Sequence, residues 1–148
     1  MQECSTNRTK RRSQRGGAML ELALISPWIF FLFAGALDCG YYCYALISME
    51  SAARVAALYT STSFTTSADS STACTYVLQE LRSLPNVGSI TSCSANPVTV
   101  SAQSDTGSDG TSASKVSVTY QSLPLVPIPG LLQGSYTWTR TVKMRLRG

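Results

Sequence analysis

The chain has 148 residues, 44% hydrophobic and 14% charged, which is room for one small domain and not two. It contains no histidine, so Ser-His-Asp and Cys-His nucleophile systems, histidine-ligated zinc and histidine pH switches are excluded. The net charge of +4 is placed unevenly: Arg8, Lys10, Arg11, Arg12 and Arg15 precede residue 17 with only Glu3 as acid, and the remainder carries seven charges of each sign. A neutral body behind a basic leader predicts no nucleic-acid partner, because such a partner needs a basic patch on the folded domain.

The leader, residues 1–16, is polar, has nothing apolar enough to start a core, and is predicted to be disordered. Ala18 to Ile47 is then apolar apart from Glu21, Ser26 and Asp38, and Leu22 to Leu37 carries no charge. Those 16 residues rise about 24 Å as a helix, short of the roughly 30 Å hydrocarbon core, so a membrane span must borrow from the leader side or from Cys39 to Leu46. Tyr41, Tyr42 and Tyr44 would form an interfacial belt at its far end. Five cations before the span, against Arg54 alone soon after it, place the N-terminus in the cytoplasm and the C-terminal part outside by the positive-inside rule. A cleaved secretory signal is the competing reading. The apolar stretch is too long for one, since an h-region runs roughly 7 to 15 residues. Asp38 before Cys39 also does not suit a lipoprotein signal.

Beyond the span the helix is expected to continue. Leu46, Met49, Ala53, Ala56 and Ala57 lie at helical spacing, and Glu50 and Arg54 form an i,i+4 pair. One helix from about Ala18 to Tyr59 follows, with bends expected at Pro27, Gly35 and Gly40. Residues 60–73 are Ser/Thr-rich and aperiodic and are assigned to a linker. Cys74, Val77, Leu78 and Leu81 fit a short amphipathic helix that Leu84 continues and Pro85 ends.

After that the period becomes two. Val98, Val100 and Ala102 alternate, as do Val116, Val118 and Tyr120, and the Asp/Gly/Ser loop from Gln103 to Ser114 joins them into a hairpin. A last strand from about Ser135 to Arg147 puts Tyr136, Trp138, Val142, Met144 and Leu146 on one face, interrupted by Arg140. The fold class is therefore α+β: a long N-terminal transmembrane helix running into a small extracytoplasmic head, residues 74–148, with a short helix and an antiparallel sheet of about three strands.

Of the five cysteines, Cys74 and Cys93 fall in the head, where an oxidising compartment favours a disulfide. Two separate buried thiols are the alternative. Cys39 and Cys43 suit small packing residues better than a redox pair. Asp105, Gly107, Asp109 and Gly110 are similar to the first half of an EF-hand loop, but Val116 stands where the twelfth-position glutamate belongs, so no metal is expected. Lys143, Arg145 and Arg147 on an edge strand read as protection against sheet-to-sheet aggregation.

Glu21 is the exception in the apolar run. A carboxylate in a span costs about 2.5 to 3.5 kcal/mol at mid-bilayer and less near the interface, so it usually has a partner; an inert snorkelling acid is the plain alternative. Arg15, Gly16, Gly17, Ala18, Met19, Leu20, Glu21, then Pro27 six residues on, resemble the processing site of type IV prepilins, and more narrowly the opening of the TadE-like family of pseudopilins from tight-adherence pilus systems. Phe33, Gly35, Asp38 and Gly40, then Ser51 to Arg54 with Ala56 and Ala57, are similar to that family's next elements, as are Val116, Val118 and Tyr120 followed by a Leu/Pro-rich loop and an alternating basic strand. Val55, Ala56 and Ala57 stand where the family often has a second glycine and arginine.

The resemblance implies a minor pilin of a bacterial inner membrane that takes part in assembling a pilus for surface attachment. A prepilin peptidase would cut between Gly16 and Gly17, and Glu21 would pair with the terminal amine of a neighbouring subunit and set its register. Its implied partners are the peptidase, other pilin or pseudopilin subunits, the pilus assembly platform and membrane lipid, with no cofactor and no small-molecule substrate. Two other classes stay open on the residues alone. One is an unprocessed single-pass anchor for an outer binding or scaffold domain. The other is a tethered enzyme, for which the head supplies only Asp69, Glu80, Asp105 and Asp109 as carboxylates, with no acid/base pair evident, so no catalytic residue is assigned.

Overall fold

The computed structural model describes residues 6–123 and 134–147, with side chains described from Gly17 onward. The expected Leu/Pro-rich loop and Cys4 lie outside the described residues. Two compact units result, residues 1–39 and 40–148. Helix α1, Thr6–Thr60, contributes to both. Within the second unit follow α2 (Ser70–Leu81) and strands β1 (Ser94–Ala95), β2 (Val98–Thr106), β3 (Ser112–Gln121) and β4 (Thr137–Arg145). A long apolar helix with an α+β head is what the sequence predicted, with four strands in place of about three.

The leader expected to be disordered is helical from Thr6 on. Once a long helix exists, adding Lys, Arg and Gln residues to its end requires no new nucleus, and these are good helix formers. Pro27, Gly35 and Gly40 all lie inside α1, which runs through them without a break. In the first unit its large apolar side chains face outward, exposed from 49% at Leu37 to 74% at Leu32, while Ala34 and Asp38 are buried.

In the second unit the same helix has a buried stripe: Ala45, Met49, Ala52, Ala53, Ala56 and Ala57 are fully buried. Spacings of 4, 3, 1, 3 and 1 keep them on one face of a helix of 3.6 residues per turn. They join Val77 and Leu81 of α2 and Val98, Val116, Val118 and Tyr120 of the sheet in one core. The end of α1 is closed by hydroxyls. Thr60 Oγ1, Ser61 Oγ and Thr62 Oγ1 donate to the carbonyls of Ala57, Leu58 and Tyr59 at 3.2, 2.9 and 2.8 Å, beside the backbone N–H groups of Ser61 and Thr62 that donate to Ala57 and Tyr59.

Helix α2 begins four residues before Cys74 because Asp69 caps it. The Asp69 carboxylate accepts from the backbone N–H groups of Ser71 and Thr72, both at 3.1 Å, the N-cap geometry that orphan donors favour. It ends at Leu81, short of Pro85, and Leu84 is buried through the following turn.

The sheet is a meander in the order β1-β2-β3-β4, antiparallel throughout. Its register stacks Val98, Tyr120 and Trp138 in one row, Val100, Val118 and Arg140 in the next, and Ala102, Val116 and Val142 in the third. This is the core-facing side. The opposite side is a hydroxyl ladder: Ser117 and Thr141 are linked at 2.9 Å and Thr119 and Thr139 at 2.9 Å. β2 and β3 run past the expected hairpin ends, leaving a five-residue loop, 107–111, in which Gly110 has φ of +76° and Gly110 N–H donates to the Gly107 carbonyl. Only a residue without a Cβ takes that φ without strain.

Candidate functional site

Gly16 and Gly17 are consecutive helical residues of α1, and Glu21 follows Gly17 by four positions, one turn further along the same face. Glu21 is exposed, flanked by Leu20 at 66% and Leu22 at 61% exposure. A Cβ built on Gly17 meets nothing within 4 Å, and the same holds at Gly35 and Gly40. Among the described residues, no neighbour therefore demands glycine at these three positions. The first unit is an exposed apolar surface with one carboxylate near its start. The Ser26 hydroxyl is turned inward to the Ala23 carbonyl at 3.3 Å, which removes the other polar group from that surface.

Gly17–Thr60 is long and apolar enough to cross a membrane by length and composition. From Gly17 to Cys39 the helix rises about 35 Å at 1.5 Å per residue, enough for the roughly 30 Å hydrocarbon core. Residues 17–21 on the leader side supply most of the missing length, and of the expected Cys39 to Leu46 extension residues 40–46 are not needed.

The three tyrosines assigned to a lipid belt are engaged by the head. Tyr41 Oη and Tyr120 Oη are 3.1 Å apart, and Tyr120 donates to Asn86 Oδ1 at 2.6 Å, while Asn86 Nδ2 donates to the Gln121 carbonyl at 2.8 Å. Burial, then the Tyr41 hydroxyl, push the Tyr120 phenol well above its usual value, so it stays a neutral donor. Tyr42 packs edge-on against Tyr136 at 5.6 Å and Trp138 at 5.4 Å, and the Tyr44 hydroxyl meets Ser83 Oγ at 2.7 Å. Alternation showed Tyr136 and Trp138 on one strand face. The helix residue that meets them had no sequence signal beyond three tyrosines in four positions.

Cys74 on α2 and Cys93 just before β1 have their sulfurs 1.99 Å apart and their Cα atoms 5.8 Å apart, a bonded pair. Cys39 and Cys43 are free and exposed.

Residues 61–69 form a packed turn. Ser114 Oγ donates to Thr60 Oγ1 at 2.8 Å and to the Ser67 carbonyl at 3.0 Å, and Ser67 Oγ contacts Ser104 Oγ at 2.9 Å. Thr60, Ser67 and Ser114 are fully buried, so this network satisfies polar groups that would otherwise be costly inside a core. Composition alone gave no sign of it.

The acidic loop is occupied by the basic strand. Asp105 pairs with Lys143 at 2.5 Å and Asp109 with Arg145 at 3.8 Å. The Lys143 hydrogen bond, then that of the Thr106 N–H, hold Asp105 below its usual pKa. The Thr111 hydroxyl and N–H do the same for Asp109. Both carboxylates thus face cations of β4.

A family model described as TadE-like protein matches residues 16–58, consistent with a TadE-like, pilin-related protein. No curated protein and no solved structure matches the chain.

Proposed function

We propose that this chain, TadE-like over residues 16–58, is a pseudopilin: a minor pilin that acts structurally in assembling a tight-adherence pilus for surface attachment. The observation that carries the reading is the coincidence of that match with the exposed apolar surface of α1, which begins where Gly16, Gly17 and Glu21 stand. In this reading the five leader cations hold the N-terminus in the cytoplasm of a bacterial inner membrane, and the head lies on the other side.

A membrane prepilin peptidase cuts between Gly16 and Gly17. A peptide bond must leave helical geometry to enter a protease, and each glycine lowers helix stability by about 1 kcal/mol relative to alanine. The Gly16-Gly17 pair makes that local opening cheap at the bond to be cut. Cutting frees the Gly17 amine, a cation at the boundary of the apolar surface. Glu21 is then the fifth residue of the mature chain, and its carboxylate pairs with the amine of a neighbouring subunit. A subunit lacking one member of a buried pair leaves the other uncompensated, a loss of about 3 to 5 kcal/mol, which makes the pair a register device for each docking step. The partners are thus the peptidase, further pilin or pseudopilin subunits, the assembly platform and lipid. The role is structural and not catalytic, in keeping with a chain that lacks histidine.

N-terminal sequencing and intact mass of the protein from host membranes test the reading. The expected mature sequence begins Gly17, Ala18, Met19. A chain that keeps Met1 would reject it and leave an unprocessed anchor; one that begins in the head would reject it in favour of a cleaved signal.

A further inference from the structure

The charges of the head are not spread evenly over its sheet. In the described strands every charged residue, Asp105, Lys115, Arg140, Lys143 and Arg145, lies in the Val100–Val118–Arg140 row or on the far side of it. The rows of Tyr120 with Trp138 and of Gln121 with Thr137 have none. That charge-free end is also where α1 enters the second unit, because Tyr41 and Tyr42 are the residues that touch Tyr120, Tyr136 and Trp138.

The same end presents apolar surface. Leu123, just after β3, is 52% exposed, and Tyr136, just before β4, is 48% exposed and stacked on Trp138 at 6.1 Å. Ring side chains with one apolar body and one polar tip favour the level of lipid head groups. Arg82, next to the Ser83 that Tyr44 contacts, is a cation that lipid phosphate accommodates.

We propose that this end of the head, Leu123, Tyr136 and the Tyr42–Trp138 ring cluster, lies in the lipid–water interface and gives the protein a second membrane contact besides its helix. The occupant is lipid, not a second copy. The sheet rows at this end carry no charge that would have to be desolvated, the cation beside them is one that lipid phosphate accommodates, and Tyr42 stands three residues after Cys39, where the first unit ends. The inference rests on the reading of α1 as a membrane span.

The test uses the full chain with Trp28→Phe, which leaves Trp138 as the sole tryptophan, in phosphatidylethanolamine–phosphatidylglycerol vesicles carrying a head-group spin label. Lipid-borne label is expected to remove about half of the Trp138 emission and to do so more strongly than a label at the acyl-chain terminus. Adding Leu123→Asp and Tyr136→Asp is expected to abolish that loss while the chain still floats with the vesicles. Leu123→Ser with Tyr136→Ser is the milder pair if the aspartates disturb folding. Flotation without quenching overturns the head contact and leaves the span in place; failure to float overturns both. Quenching untouched by both pairs overturns the assignment to these residues, and protection of Trp138 that grows with protein-to-lipid ratio assigns the surface to a second copy and overturns the lipid contact.

Discussion

One helix solves two opposite problems along its length. Before residue 40, α1 is coated with Leu, Ile, Phe and Trp side chains that nothing in its unit covers, whereas between Ala45 and Ala57 the fully buried positions are five alanines and Met49. Large apolar groups suit a solvent that is itself apolar and adapts to their shape. Alanine suits a rigid core, where a small side chain lets backbone elements approach closely and gives up no rotamer freedom. Hydrophobicity alone therefore does not distinguish the two environments along α1; side-chain size does.

If that division holds, changes in the first half alter assembly and spare the fold, and changes in the second half do the reverse. The largest effect is expected at Glu21→Gln. Membrane insertion and cutting at Gly16 should persist and the head should unfold as before, yet incorporation into sheared pili or crosslinked pilin complexes should be lost. Normal incorporation of the processed variant would rule out the pairing role.

Next is the Cys74→Ser/Cys93→Ser pair. Opening a loop closed over a separation of 19 residues should remove about 3 kcal/mol by the loop-entropy relation, read as a lower denaturant midpoint for the whole chain in detergent. Free-thiol labelling of both cysteines in unreduced, unfolded wild-type protein would remove the basis for this prediction.

Smaller again, Ala56→Leu overfills a fully buried helix position and should destabilise the head by about 1 to 3 kcal/mol. The reciprocal change, Leu24→Ala in the first half, should leave the head's unfolding curve unchanged. Equal effects of the two would erase the distinction between the halves.

The smallest effect concerns acid. The Thr72 N–H and hydroxyl, then Ser71, hold Asp69 down to about 2. A carboxyl whose pKa is lower folded than unfolded stabilises above the unfolded value near 4 and loses that contribution as pH falls through the folded one. The head should weaken between about pH 4 and pH 2, and Asp69→Asn should flatten that part of the profile, as near-UV circular dichroism of the ring cluster can record.

How much of this was written legibly in the sequence depends on what each element relies on. The apolar run and the alternation at 116–120 are local patterns, and each is where it was read. The strand face of Tyr136, Trp138, Val142 and Met144 survives too, with Arg140 in its row but exposed. What was missed depends on partners far along the chain. Ala45 and Ala52 carry no signal until the core closes over them. β1 is two residues long, held by its pairing to β2. The Ser/Thr segment after α1 looked like a linker because its order comes from Ser104 and Ser114, more than thirty residues away. The tyrosines near residue 42 were read against lipid alone, and their partners in the head, Tyr120, Ser83, Tyr136 and Trp138, could not be read from the sequence.

The bridge between Cys74 and Cys93 also has a mechanical meaning. In the proposed role the chain is a filament subunit that bears load, and a head that opens under tension lengthens by the contour of the chain it releases. The bonded loop withholds a separation of 19 residues, about 65 Å of extended chain at roughly 3.4 Å per residue, and it takes in α2 from Cys74 to Leu81. Pulled at its ends, the head can yield only the chain outside that loop. Its extension is capped, and a reductant applied during pulling would lengthen the step by that increment.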